Sequence, residues 1–442
     1  MSDRNGAISL LRELLCIDTT NPPGREGPAA GLLEARLSRA GLRCSILKSP
    51  EGRPNLVARL PGPTDKPALV LLSHTDVVPV EAEQWSRDPF GGEIEEGCVW
   101  GRGALDMKGI AAMHAEAAAA LAADEHSSPK REVIVVAVAD EEAGGEQGAA
   151  WLARAHPEAL GFADGRPPPE VLGEGAFGID GIVDRPVMPV AFGEKSAVWL
   201  DITASGDPGH GALPPARQAA TQLAHAITAV SGFRRPRVHS VMAEQMSMLA
   251  PHANGVRSKV MQAMGGPAGP YLVRALHGTF ARSGPVGTLL ADSVTPTQVS
   301  AGYKNNVVPG SARASFDCRV LPDTSIDDFT ADLRKRVEGL EVKVEVRASH
   351  GGPVSPRTTL FDAIGRACTG MEEKPIVVPT LSPGFTDIRH LRKLGATGYG
   401  WAPIVLSAEL LATIHGHDER IPLDAFERAV EVMKDLVRDV AT

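Results

Sequence analysis

Apolar positions follow different rhythms along the chain. In the first part Ile8, Leu11 and Leu15 recur at helical spacing, and Pro28 to Ala40 forms a second amphipathic stretch that Gly41 stops. Ala68-Leu69-Val70-Leu71-Leu72 and Val133-Ile134-Val135-Val136-Ala137-Val138 are apolar without alternation, as strands covered on both faces are. The alanine-rich stretch from Lys108 to Ala123 between them is predicted to be a crossover helix. Strands and helices taking turns in this way specify an α/β layer structure.

After Gly193 the period becomes two. Val198, Leu200 and Ile202 alternate with Trp199, Asp201 and Thr203, and Ala314, Phe316, Cys318 and Val320 alternate with Arg313, Ser315, Asp317 and Arg319. These are the marks of half-buried strands in an open-faced sheet. Helices are expected from Ala216 to Val230 and from Ile326 to Val337, the second capped by Ser325 with Asp328 three residues on. A small α+β domain is implied. Residues 233–295 are poor in strand pattern, rich in Gly and Pro, and hold five of the eleven methionines, so an insertion of unassigned structure is expected there. Beyond Ser349 the α/β rhythm returns, with a helix near Leu360 to Cys368, a glycine-rich loop about Gly384 and a last helix from Asp424 to Val440. The expected organisation is one α/β domain made of residues 1–194 and 350–442, with a second domain, 195–349, inserted into it.

A length of 442 residues suits two domains, because single cores stop growing well below that size. With 45 Lys+Arg against 54 Asp+Glu the net charge is -9, so no basic surface is offered to a phosphate backbone and nucleic acid is excluded as a partner. No run of roughly 18 apolar residues could cross a membrane, and no apolar core follows the first charges, so a cytoplasmic protein is expected. The five cysteines are scattered without a C-x-x-C pair, which leaves any metal to histidines and carboxylates.

Candidate chemistry collects where the buried strands end. Ser73-His74-Thr75-Asp76-Val77-Val78-Pro79 follows the first apolar run, at the edge where open α/β sheets hold ligands. His74 could ligate a metal with Asp76 fixing its tautomer; a hydrogen-bonded loop histidine is the plainer alternative. Gly101-Arg102-Gly103-Ala104-Leu105-Asp106-Met107-Lys108-Gly109 is a turn that opens a helix, in which Asp106 either bridges two cations or caps the helix. In Asp140-Glu141-Glu142, one glutamate could bind metal while the other takes a proton from water, or both could simply complement a helix dipole. Glu174 follows a further short apolar run. Its surroundings, Gly173-Glu174-Gly175-Ala176-Phe177-Gly178, match the dinucleotide pattern G-x-G-x-x-G, but Asp180, Gly181 and Pro186 stand where the helix of that motif should begin, and the reading is rejected. Ile414-His415-Gly416-His417-Asp418-Glu419-Arg420 is either a ligand-bearing loop or a solvated one.

In this order, S-H-T-D-V-V-P, G-R-G-A-L-D-M-K-G, D-E-E, Glu174 and H-G-x-x-E-R resemble the di-zinc family of aminoacylases, acetylornithine deacetylase, succinyl-diaminopimelate desuccinylase, carboxypeptidase G and carnosine dipeptidases. The resemblance runs from Asn21 to Glu419 outside the insertion. It implies a mixed sheet sandwiched by helices, an inserted ferredoxin-like lid and dimerisation domain, and two Zn2+ per subunit, for which Co2+ or Mn2+ could substitute. It implies that Asp106 bridges the ions, that His74 and Glu174 complete one site and Glu142 and His415 the other, and that Glu141 is the general base acting on water at the metals, with Asp76 behind His74. Gly206-Asp207-Pro208-Gly209-His210-Gly211-Ala212 resembles the family's G-x-x-G-H-x-S segment, with Ala212 in place of serine, and offers His210 to the oxyanion of the partner subunit in a homodimer.

Asn305-Asn306-Val307-Val308-Pro309-Gly310, Asp317-Cys318-Arg319 and Gly384-Phe385-Thr386-Asp387 match the family's N-V-I-P, D-x-R and G-x-T-D signatures. They imply that Asn306, Arg319 and Thr386 hold a substrate carboxylate, although Arg319 could be an ordinary solvated strand residue. The implied activity is cleavage of an amide or peptide bond in a small substrate, an N-acyl amino acid or a short peptide with a free carboxylate. Two readings compete: an inactive binding module that retains the fold, against which the full ligand set speaks, and an aminopeptidase, whose pocket would need an acid to receive a free amine.

Overall fold

The computed structural model describes residues 4–125, 128–280 and 285–442. Its central sheet has eight strands in the order Arg43–Lys48, Pro54–Leu60, Val133–Val138, Leu69–His74, Glu170–Ile179, Thr397–Leu406, Val187–Glu194 and Ile376–Ser382. The sheet is mixed. Val133–Val138, Leu69–His74, Glu170–Ile179 and Thr397–Leu406 run parallel to one another, and the first two strands join antiparallel.

The unbroken apolar runs explain the layers. All six residues of Leu69–His74 and all six of Val133–Val138 are buried. Leu69, Leu71, Val133 and Val135 join a core with helices Lys108–Ala123 and Leu423–Ala441, whereas Val70, Leu72, Ile134 and Val136 join a second core with helices Ala149–Ala155 and Ile388–Lys393. Successive side chains point to opposite faces of a strand, so a strand covered on both faces must be apolar throughout. Each such Val or Leu contributes roughly 1.5–3 kcal/mol by leaving water.

A five-stranded antiparallel sheet stands apart, in the order Arg234–Pro236, Ala291–Ala301, Ser311–Val320, Ser196–Ser205 and Val342–His350. Helices Ala219–Val230 and Ile326–Arg336 cover one face, burying Val198, Leu200, Ile202, Ala314, Phe316 and Cys318. Ser325 caps the second helix by accepting a hydrogen bond from the Asp328 amide at 3.3 Å. Strand Ala291–Ala301 carries little periodicity because its last seven residues are exposed, with Pro296 among them; it lies partly in the segment expected as an insertion.

Apart from strand Arg234–Pro236, the main elements among the described residues in the rest of that segment are helices Ser240–Leu249, Gly255–Gly265 and Gly269–Phe280. Met242, Met246, Met261 and Met264 pack into the core shared with Val187, Met188 and Val190 of the central sheet. The methionine-rich helices, expected as part of the inserted domain, therefore cover the central sheet instead of the smaller one.

Candidate metal centre

Two of the five expected ligands, His74 and Glu142, stand at or just past the carboxyl ends of neighbouring parallel strands. His74 closes strand Leu69–His74, and its parallel neighbour Val133–Val138 runs into a turn at Glu141–Ala143 that carries Glu141 and Glu142. Asp106 sits in the turn just before helix Lys108–Ala123. Glu174 lies inside strand Glu170–Ile179, at an irregularity: Gly173 pairs with Gly400 and Phe177 with Ala402, so three residues face Trp401 alone. Such a bulge turns a side chain out of the ladder. Gly400 permits it, since a Cβ there would lie 2.3 Å from the Glu174 carbonyl. His415 comes from a loop more than 300 residues distant from His74 in sequence and adopts a left-handed backbone, φ 59°.

These side chains converge. His74 Nε2 lies 3.2 Å from Asp106 Oδ1 and 3.5 Å from Glu174 Oε2, and His415 Nε2 lies 3.2 Å from Asp106 Oδ2 and 3.3 Å from Glu142 Oε1. Asp106 thus turns one oxygen to each histidine. Ligand atoms about 2.0–2.1 Å from a tetrahedral ion are about 3.3–3.4 Å apart, so these spacings fit a pair of such ions sharing Asp106. Ligand atoms of His74, Glu141 and Glu174 also lie within 4.8 Å of one another. Glu141 is buried, and its Oε1 has no hydrogen-bond partner among the described residues.

The charges tell the same story. Burial pushes Glu174 up to about 8, with the Asp106 charge adding to it, and burial likewise raises Glu141 and Glu142. Hydrogen bonds to Asp106 and Glu142 push His415 up to about 10. Burial opposes charge on His74, yet Glu174 and Asp106 hold it well above its ordinary value. Glu141, Glu142, Glu174 and the two imidazoles favour protonation, whereas Asp106, against its burial, is held well below its ordinary value by hydrogen bonds from His415 and His74; a cluster this rich in carboxylates is short of positive charge, which divalent cations supply. The donor set, nitrogen and oxygen without thiolate, fits catalytic zinc.

Behind the ligands the structure adds residues that pattern alone does not single out. His74 Nδ1 donates to the Asp76 carbonyl at 3.0 Å, which fixes the tautomer and leaves Nε2 free to ligate; the Asp76 carboxylate is 3.6 Å away. That carboxylate instead accepts from the amides of Glu141 and Glu142, both at 3.1 Å, and from Asn21 Nδ2 at 2.8 Å. Asp76 therefore aims the Glu141 turn more than the His74 ring. Glu419, fully buried, accepts from the amides of Gly103, Leu105 and Asp106 and from Arg102 Nη1 at 2.6 Å, while Arg102 Nη2 donates to Gly416. The pair ties the Asp106 turn to the His415 loop. The one sequence signal for it is the glutamate in H-G-x-x-E-R.

The expected substrate residues divide. Arg319 and Thr386 line a chamber of about 1230 Å³ that also contains Asp106, Glu141, Glu142, Glu174 and His415 in its wall. Arg319 is held by Asp317, Nε to Oδ1 at 3.0 Å and Nη2 to Oδ2 at 3.1 Å, and lies over the Phe385 ring. The Thr386 hydroxyl is buried without a partner among the described residues. His210 and Asn306 are not in the wall. Both are exposed and sit together on a two-stranded ribbon, Gly209–His210 with Val307–Val308.

A metal-dependent hydrolase that cleaves amide or peptide bonds in small substrates is the class this fold and centre define. The chain belongs to peptidase family M20/M25/M40, whose model matches residues 70–439. It is 28% identical to aminoacylase-1 of Pongo abelii over 450 residues, covering 100% of this chain and 96% of that protein. An N-fatty-acyl-amino acid synthase/hydrolase of Xenopus tropicalis is 29% identical over 384 residues, 84% of this chain and 72% of that one. Among solved structures, an M20 family metallo-carboxypeptidase from Sulfolobus solfataricus superposes with a TM-score of 0.71 at 18% identity, covering 99% of both chains.

Proposed function

We propose that the chain hydrolyses the amide bond of an N-acyl amino acid or a short peptide with a free carboxylate. The observation that carries this is the convergence of His74, Asp106, Glu142, Glu174 and His415 at 3.2–3.5 Å spacings, with the buried, unpartnered Glu141 beside them. His74, Asp106 and Glu174 would hold one Zn2+, and Asp106, Glu142 and His415 the other, with Co2+ or Mn2+ able to replace them. When bound, the ions make water acidic and polarise the scissile carbonyl.

Glu141 takes the proton from the attacking water and passes it to the leaving amine. Asp76 keeps that carboxylate on line by holding its backbone amide. Arg319 and Thr386 receive the substrate carboxylate, joined by Asn306. His210 donates to the oxyanion. Because His210 and Asn306 are exposed and do not line their own chamber, we assign them to the site of a partner subunit in a homodimer, which makes the smaller domain both lid and dimer contact. Free thiols at all five cysteines suit the reducing cytoplasm, and among the described residues no helix is long and apolar enough to cross a membrane.

Glu141→Gln tests the base. Metal analysis should find both ions retained while turnover of an N-acyl amino acid falls by about 10²–10⁴. Turnover near that of the unaltered protein removes Glu141 from the role.

A further inference from the structure

Arg389, on the short helix Ile388–Lys393, is fully buried and makes no ion pair among the described residues. A cation taken out of water without a carboxylate beside it is costly, and an apolar side chain of similar volume would fill the space more favourably. What the guanidinium holds instead is two carbonyls: Nη2 donates to Gly144 at 2.7 Å and Nη1 to Thr386 at 2.8 Å. Gly144 ends the turn that carries the proposed base, its own amide donating to the Glu141 carbonyl at 2.8 Å. Thr386 and its neighbour Phe385 line the chamber. The guanidinium also lies 4.4 Å from the centroid of the Phe385 ring, and Arg319, from the smaller sheet, lies over the same ring at 5.9 Å. The segments so joined are tightly apposed, since a Cβ on Gly145 would stand 2.5 Å from Asp387 Oδ1. Gly352, where the chain returns from strand Val342–His350, leaves room for Arg389: a Cβ there would come within 3.1 Å of the arginine Cα.

We infer that Arg389 is a positioning residue that locks the turn carrying Glu141 to the loop that receives the substrate carboxylate, so that one side chain aligns the base with a bound free acid. This rests on the hydrolase reading above. Arg389 is not in the chamber wall, so it acts on the reaction only through the two segments that it holds. A planar fork of N–H donors grips two carbonyls at a fixed separation, which the compact ammonium of a lysine does not. Through the Phe385 ring the same brace reaches Arg319, because a guanidinium within about 6 Å of an aromatic centroid is attracted to it.

The test compares the unaltered protein with Arg389→Met, which removes the fork, and with Arg389→Lys, which keeps the charge and serves if the first variant does not fold. Each is loaded with zinc, and kinetics are measured on an N-acyl amino acid that the unaltered enzyme cleaves and on its carboxamide. Zinc content should be unchanged, while kcat on the acid falls about 100-fold, as a misplacement of about 1 Å at the reacting groups produces. KM for the acid should rise by up to about tenfold, the worth of one hydrogen bond, and KM for the carboxamide should stay close to its value in the unaltered enzyme. Turnover per zinc-loaded enzyme equal to that of the unaltered protein, or equal KM shifts for acid and carboxamide, overturns the inference. Hydrogen exchange gives a second readout that needs no turnover. Peptides covering residues 140–147 and 383–388 should exchange faster together in the variants, whereas helix Arg4–Leu15 should not change; an unaltered rate in either of the two segments also overturns it. Failure of the unaltered enzyme to cleave any N-acyl amino acid would defeat the hydrolase reading separately, since exchange decides whether Arg389 joins the two segments.

Discussion

Glu419→Gln should loosen the metal centre without removing a ligand. Glu419 is buried and accepts four hydrogen bonds, from the amides of Gly103, Leu105 and Asp106 at 2.8–3.1 Å and from Arg102 at 2.6 Å. Glutamine keeps the shape but has a single acceptor oxygen, so its NH2 faces N–H donors and the Arg102 guanidinium loses its counter-charge. Breaking a buried ion pair by removing one partner costs about 3–5 kcal/mol, and each hydrogen bond to a charged group about 1.5–3 kcal/mol. The losses overlap, so about 3–5 kcal/mol of unfolding free energy is expected, read by urea denaturation in chelator. The Asp106 amide is one of the released donors, so metal affinity, measured by competition with a chelating dye, should fall about 10–100-fold, as it does when groups behind a ligand are removed. Adding Arg102→Met should recover stability, because the unpaired cation is gone, but not affinity, because the turn is still unheld. A single variant that binds metal as the unaltered protein does would refute the argument that Glu419 positions Asp106.

Other outcomes follow from the same geometry. Arg319→Ala should sharply lower activity on a free acid and spare the corresponding amide or ester; equal losses on both would mean that the Asp317 pair is purely structural. Glu141→Ala and His210→Ala should each be nearly inactive alone, yet refolding them together should restore activity, since one site of the mixed dimer keeps its own Glu141 and borrows an intact His210. No recovery despite verified subunit exchange would sink the assignment in trans. His114 is fully buried with neither ring nitrogen partnered among the described residues, and burial lowers its pKa from 6.5 to about 3. As pH falls the unfolded chain takes up that proton first, so stability is present above pH about 6.5 and lost toward pH about 3, by up to about 1.4 kcal/mol per pH unit. His114→Leu should show a correspondingly shallower acid slope in urea titrations, and an unchanged slope would mean that His114 is not what titrates.

Much of the centre was legible because its residues sit in short motifs next to unmistakable strands. A six-residue apolar run announces a buried strand, and an acid or histidine just past it falls at the sheet's carboxyl edge whatever the rest of the chain does. That ground marked His74 and the Glu141–Glu142 pair as candidates beside plainer alternatives, and only the order of all five motifs gave them, Asp106, Glu174 and His415 their roles. The carboxylate of Asp76 illustrates the limit: its place next to His74 suggested one partner, and the folded chain gives it two amides from another turn. Glu174 was placed by its residue type, but what turns it toward His74 is a mismatch in pairing between two strands some 220 residues apart.

Outside residues 233–295 the sequence by itself determined the main elements, and it determined the donor set, since periodicity and residue chemistry are local properties that hold before any long-range contact forms. Tertiary structure decided what those properties cannot encode. Only packing brings Glu419 beneath the Asp106 turn, sends the methionine helices to the central sheet, and leaves His210 and Asn306 outside their own chamber. Each of these depends on which distant surfaces meet, and a polar or methionine-rich segment has the same pattern whichever surface it finally covers.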